Sequence, residues 1–250
     1  MISDPAAIRR ETISATDAIV TVRGVSRIYG QGHGAVTALN NVTFETRSGT
    51  LVAITGRSGS GKTTLLNLIG GLDTPTTGTI LLGGRDITQL SDQERTALRR
   101  HGIAFVFQSF ALLPTLSALE NVILALHIAR VPPRARRQRA REVLELVSLG
   151  GRLHHRPYEL SGGEQERVAI ARALATKAPL ILADEPTGEL DTGTGREIIG
   201  LLTEVVRTQH VAILVATHDP AVVAEADRAY GLVDGVLHGL GERHANGAKP

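Results

Sequence analysis

The chain has no cysteine and no tryptophan, a single methionine, and only 3% aromatic residues. Without cysteine, disulfides and thiolate metal sites are excluded, although the compartment is not thereby fixed. Lysine is nearly absent too, at Lys62, Lys177 and Lys249 alone, with arginine supplying the remaining positive charge. The formal net charge is only +2, so composition gives no reason to expect a nucleic-acid partner. No apolar run approaches the ~18–20 residues that cross a bilayer. The start, Met1-Ile2-Ser3-Asp4-Pro5, has no basic stretch leading into an apolar one, so a signal peptide is not expected. What is present is ordinary for a folded domain: 250 residues, 42% hydrophobic and 21% charged.

Patterning predicts an α/β chain. Residues 1–17 are polar and unpatterned and read as a loose tail, as does 241–250. Ile19–Arg23 and Val42–Glu45 alternate like half-buried strands. Leu51–Thr55 is a short apolar run that ends at a glycine loop, and Gly78–Leu82 precedes a Gly83-Gly84 turn. Ser91 with Glu94, and Ser117 with Glu120, have capping-box spacing and predict helices to about Arg100 and about Ala129. Pro132-Pro133 breaks the second, and a third is predicted from about Arg134 to Ser148. A fourth follows Ser161-Gly162-Gly163 and runs to about Thr176. Leu180–Ala183 and Val211–Thr217 read as buried parallel strands joined through a helix over about Thr194–Thr208, a βαβ unit. The helix-rich middle, about 60–70 residues, reads as an insertion into an α/β core.

Gly56-Arg57-Ser58-Gly59-Ser60-Gly61-Lys62-Thr63 fits G-x-x-x-x-G-K-[ST] between a strand and an apolar helix. Glycines let backbone N–H groups turn inward around phosphate oxygens, and the helix N-terminus adds positive potential. Lys62 is placed to reach the β- and γ-phosphates and the Thr63 hydroxyl to ligate Mg²⁺. An ordinary glycine turn is the plain alternative. An ammonium kept here, in a chain that writes arginine almost everywhere else, argues against it.

Leu180-Ile181-Leu182-Ala183-Asp184-Glu185 sets two carboxylates at the end of a buried strand, where α/β sheets bind ligands. Alone this is a weak signal. After a phosphate loop, Asp184 is expected to hold Mg²⁺ and Glu185 to act as general base toward water.

Leu160-Ser161-Gly162-Gly163-Glu164-Gln165 makes the pattern specific, because it resembles the signature motif of ATP-binding cassette (ABC) proteins. The resemblance covers about Ile19–Gly235, with all motifs in the family's order. It implies a P-loop core of ABC type over residues 18–240, with an antiparallel β layer and an α-helical subdomain inserted at about 109–176. It implies further that Ser161, Gly162 and Gly163 face the γ-phosphate of ATP held by the opposite subunit. Gln108, after the strand-like Ile103–Phe107, falls at the Q-loop, whose glutamine reaches Mg²⁺. His218 falls at the switch histidine, among nine histidines. Asp191 falls in the D-loop, and Tyr29 is expected as the adenine platform. Gly56, Ser58, Gly59, Ser60, Gly61, Lys62, Thr63 and Thr64 complete the nucleotide-contacting set.

What the resemblance implies is therefore an ATP hydrolase. It would use ATP and Mg²⁺, form a homodimer or a pair of cassettes, and lie on the cytoplasmic face of the membrane beside a separate permease. The stretch from Phe107 to Leu116, with Glu120-Asn121-Val122, is similar to the macrolide-efflux and lipoprotein-release branch, whose permeases have few transmembrane helices. Such systems extrude, extract or transmit force. The engine of a solute importer is the alternative, and a cassette protein acting on ribosomes or DNA a more distant one. Ala111 stands where that branch usually has asparagine, Glu189 where asparagine or alanine is usual, and Glu164 is a common variant. The basic run from Arg134 to Arg141 reads as a solvated helix face, with anionic lipid contact as its alternative.

Overall fold

A computed structural model describes residues 18–242. Residues 1–17 and 243–250, where the two tails are expected, lie outside the described part, and 241–242 belong to the last strand. Two sheets form. The first is antiparallel, order β2-β1-β4-β5, from β1 (Ala18–Tyr29), β2 (Val36–Arg47), β4 (Thr77–Leu82) and β5 (Arg85–Asp86). The second has order β10-β9-β3-β8-β7-β6. Its strands β3 (Leu51–Thr55), β6 (Ile103–Phe107), β7 (Leu180–Asp184), β8 (Ala212–Thr217) and β9 (Arg228–Val233) are parallel, and β10 (Val236–Glu242) closes one edge antiparallel.

Short, wholly apolar strands arise because this second sheet is covered on both faces. The two-residue side-chain period sorts each strand between two cores. Leu51, Ala53, Ile181, Ala183, Ile213 and Val215 enter the core shared with the helical middle. Val52, Ile54, Leu180, Leu182, Leu214 and Ala216 enter the core under the antiparallel sheet. At about 25 cal/mol per Å² of apolar surface, each fully buried Leu, Ile or Val contributes roughly 1.5–3 kcal/mol before chain entropy is set against it.

The helices are α1 (Lys62–Ile69), α2 (Asp92–His101), α3 (Ala118–Ile128), α4 (Pro133–Leu146), α5 (Gly162–Ala175), α6 (Thr192–Gln209) and α7 (Pro220–Glu225). Both expected capping boxes form, at Ser91/Glu94 and Ser117/Glu120. Glu164 closes a third on Ser161. Helices α3, α4 and α5, which lie between β6 and β7 in the chain, pack on one another, and α5 also packs on β6 and α6 in the core shared with the second sheet. Within the basic run, Arg139 donates to the terminal carbonyls of α5 at Leu174 and Ala175, and Arg136 to Val131. Arg134, Arg137 and Arg141 are exposed, as a solvated face requires. No helix among the described residues is long and apolar enough to cross a membrane.

One consequence of the strand order positions the site. The neighbours β3-β8-β7-β6 end in register, with Thr55 beside Thr217, Ala216 beside Asp184 and Asp184 beside Phe107. The segments that follow them therefore leave the sheet along one edge. These carry the glycine loop, His218, Glu185 and Gln108.

Candidate functional site

The glycine loop depends on two positions where a side chain cannot stand. A Cβ on Gly56 would lie 2.4 Å from the Leu232 carbonyl oxygen. At Gly61, φ is +107° and a Cβ would lie 2.4 Å from the Ala38 carbonyl oxygen. Gly61 is also the N-cap of α1, and neither a capping side chain nor an acidic residue occupies its first turn. The first N–H groups of α1 are thus open to an anion, and the helix dipole favours one there.

Lys62, 8% exposed, donates from Nζ to the carbonyls of Gly56 at 2.8 Å and Arg57 at 3.3 Å. Its ammonium lies 3.5 Å from Glu185 Oε1. The other carboxylate oxygen of Glu185 accepts the His218 backbone N–H at 3.2 Å and meets His218 Nδ1 at 2.9 Å. Glu185 is held in the left-handed region, φ 49°, by its own N–H to Ala216 O (2.8 Å) and by Gly188 N–H to its carbonyl (2.9 Å). For a non-glycine residue that conformation costs about 1–2 kcal/mol. The Thr63 hydroxyl donates to Asp184 Oδ2 at 2.8 Å. Burial pushes the Asp184 carboxyl above its ordinary range, and the negative charge of Glu185 adds to this. The Thr63 hydrogen bond and Lys62 pull the other way.

These groups line one open cavity of about 700 Å³, with Val36, Thr37, Ala38, Arg57, Ser58, Gly59, Gly61, Thr64 and Gln108. A methyl on Gly188 would stand 3.3 Å from Gln108 Nε2, so the glutamine packs on the turn that carries Glu185. Of the expected loop residues, Gly56 and Ser60 do not line this cavity. They face a second cavity beside Leu232, Val233 and Asp234, and Ser60 Oγ is buried without a partner among the described residues. Tyr29 is not among the lining residues, but it pairs with one of them, Val36, in the β1–β2 ladder.

The signature residues do not join this cavity. Ser161 caps α5, its Oγ accepting the Glu164 N–H at 3.2 Å. A Cβ on Gly162 would meet Leu190, and one on Gly163 would meet the Thr194 methyl at 2.3 Å. Asp191 caps α6 through Gly193 and Thr194 N–H. Ser161, Gly162, Gly163 and Asp191 thus sit at the N-termini of α5 and α6, outside the cavity that their own chain's glycine loop lines.

A family model described as "ABC transporter" matches residues 39–188. The chain belongs to the ABC transporter family. It is 46% identical over 220 residues to the lipoprotein-releasing system ATP-binding protein LolD of Pseudomonas fluorescens, covering 88% of this chain and 97% of that one. It is 45% identical over 220 residues to the macrolide export ATP-binding/permease protein MacB of Sodalis glossinidius. That match covers 88% of this chain and 34% of MacB. Its fold matches the ATP-binding cassette MJ0796, solved as a dimer in a post-hydrolysis state with ADP and Pi. The TM-score is 0.80 and the identity 42%, over 90% of this chain and 100% of that one. The chain is accordingly an ABC-type ATPase cassette, with the antiparallel and mixed sheets of that architecture.

Several residues of structural consequence were not singled out by sequence reasoning. Asp73 and Arg27 bond to Tyr29 or to each other across 44 and 46 positions. Arg172 donates to the carbonyls of Phe110 and Ala111, just beyond Gln108. Only the folded chain brings these partners together.

Proposed function

We propose that this cassette hydrolyses ATP as a head-to-tail dimer and drives a separate permease in export, extraction or force transmission. The observation that carries the reading is the cluster of Lys62, Thr63, Asp184, Glu185 and His218 in one cavity under an open helix N-terminus. In it, the backbone N–H groups of the Gly56–Thr63 loop bind the phosphates. Lys62 exchanges its two loop carbonyls for phosphate oxygens and offsets their charge. Glu185 receives the proton of the attacking water, and His218 holds the carboxylate in position.

Mg²⁺ suits the donors here. The Thr63 hydroxyl, the Asp184 carboxylate and the Gln108 amide are all hard oxygen donors, and no group of three His, Cys, Asp or Glu among the described residues competes for another metal. When bound, the ion neutralises phosphate charge. Ser161, Gly162, Gly163 and Asp191 serve the partner subunit's nucleotide, which explains their separation from this chain's own loop.

Export or extraction is favoured over import by the likeness to LolD and MacB. The permease would seat in the groove lined by Arg99, Arg100, Phe107, Ala111, Ile128 and Arg172, on the cytoplasmic face of the membrane. The test is a pull-down of tagged Glu185→Gln protein, trapped with ATP, from detergent-solubilised membranes of its own cell. Recovery of a permease with few spans and a large outer domain is expected. A many-span permease with a solute-binding protein would make this an importer's engine, and ribosomes or nucleic acid alone would overturn the transporter role.

A further inference from the structure

Tyr29, the ladder partner of the lining residue Val36, does not stand free. Its hydroxyl donates to Asp73 Oδ2 at 2.7 Å. Arg27 donates to the same carboxylate twice, from Nε at 2.9 Å and Nη2 at 2.8 Å. The Arg27 guanidinium also lies over the Tyr29 ring, 4.4 Å from its centroid. One ring face is thereby covered and the hydroxyl end is pinned, while the residue keeps 39% of its surface exposed. A tyrosine at a strand end normally turns about two side-chain torsions. This one is fixed in both position and tilt.

Asp73 belongs to the turn that leaves α1, with Leu72 N–H bonded to Asn67 O at 2.8 Å and Asp73 N–H to the same oxygen at 3.3 Å. The N-terminus of α1 is the phosphate cradle. A helix of eight residues rises about 12 Å. Asp73 therefore connects the far end of the phosphate-binding helix to the ring beside the cavity, and the spacing between cradle and ring is set by a rigid element. The strand itself is held by other bonds, Thr76 N–H to Ser26 O at 2.8 Å and Ile28 N–H to Thr76 Oγ1 at 3.0 Å. The Tyr29–Asp73–Arg27 cluster is thus not needed to keep β1 in the sheet.

We propose that Asp73, with Arg27, is a positioning device for the nucleotide base: it holds Tyr29 as a fixed stacking face at a set distance from the phosphate loop. The inference rests on the reading of Tyr29 as the base platform. Preorganisation is its physical content, since a ring already ordered loses no rotamer freedom when the base arrives.

The test uses full-length protein and equilibrium binding of two probes, ATP and inorganic tripolyphosphate, which has no base. Tyr29→Ala is expected to weaken ATP about tenfold or more, as loss of base–aromatic stacking does. Asp73→Ala and Tyr29→Phe are each expected to weaken ATP roughly three- to tenfold, the worth of a lost hydrogen bond. Neither changes tripolyphosphate binding. Asp73→Asn, which keeps an acceptor oxygen, restores part of the loss. In the Tyr29→Ala background, Asp73→Ala adds nothing. If Tyr29→Ala binds ATP like the wild type, the base-platform reading itself fails. If Tyr29→Ala weakens ATP but Asp73→Ala does not, the platform stands and the positioning role is overturned. Equal weakening of tripolyphosphate by Asp73→Ala would also overturn it, by moving the effect to the phosphate cradle.

Discussion

Glu166 lies in the first half of α5, five residues after Ser161, with no exposed surface. Neither carboxylate oxygen has a hydrogen-bond partner among the described residues. Burial pushes its carboxyl up to about 8 from an ordinary 4.5, and the charge of Arg172 offsets only part of this. Glu166→Gln keeps the shape and removes the ionisation. Between about pH 4.5 and 8 the folded chain keeps a proton here that the unfolded chain has released. Stability from the neutral carboxyl is fully present below the unfolded value and is lost as pH rises toward the folded one, by about 1.4 kcal/mol per unit. Glutamine carries no such dependence. From about pH 5 to 7.5 the variant should therefore gain about 3 kcal/mol on the wild type, roughly 10 °C in melting temperature for a chain of this size. Thermal unfolding of both proteins in parallel across that range is the assay, since every other titrating group cancels in the difference. A variant-minus-wild-type difference that stays constant with pH, or that falls as pH rises, would refute a proton on Glu166.

Two further substitutions separate chemistry from folding. Lys62→Ala should lower ATP turnover by about 100-fold or more, in line with removal of a preorganised charge from an active site. Its far-UV circular dichroism should remain unchanged, because the ammonium bonds only within its own loop and to Glu185. Asp191→Ala removes the cap of α6 and should lower the midpoint of a denaturation curve. Because Asp191 lies outside its own chain's cavity, monomer binding of ATP should not change, whereas turnover at high protein concentration should fall.

The parts of the fold legible in the sequence are those where burial dictates residue type. β3, β7 and β8 are apolar on both faces, and a run such as Ala212–Val215 admits few other readings. The ends of β1 and β2 were less legible. They run well past Ile19–Arg23 and Val42–Glu45, because register shifts after Val22 and Val25, with Asn41 at φ 51°, break the alternation. β9 and β10 escaped notice because glycines at 231 and 239 interrupt them. The Asp234-Gly235 pair, both at positive φ between Val233 and Val236, was nonetheless a hairpin signal. The candidate site reads differently. Its glycine loop and Asp184-Glu185 pair are local in sequence and carry their proposed chemistry in residue type. The Arg27–Asp73–Tyr29 cluster and the buried Glu166 acquire meaning only from partners or surroundings far along the chain.

The central claim is a cassette that closes around ATP with a second copy of itself and opens after hydrolysis. The most direct test is the solution mass of Glu185→Gln protein with and without saturating ATP and Mg²⁺, by size-exclusion chromatography with light scattering. The account predicts a single-chain mass without nucleotide and twice that mass with ATP, the bound nucleotide recovered as ATP. A protein that remains at the single-chain mass with ATP bound, or that forms the same dimer without nucleotide, would contradict it.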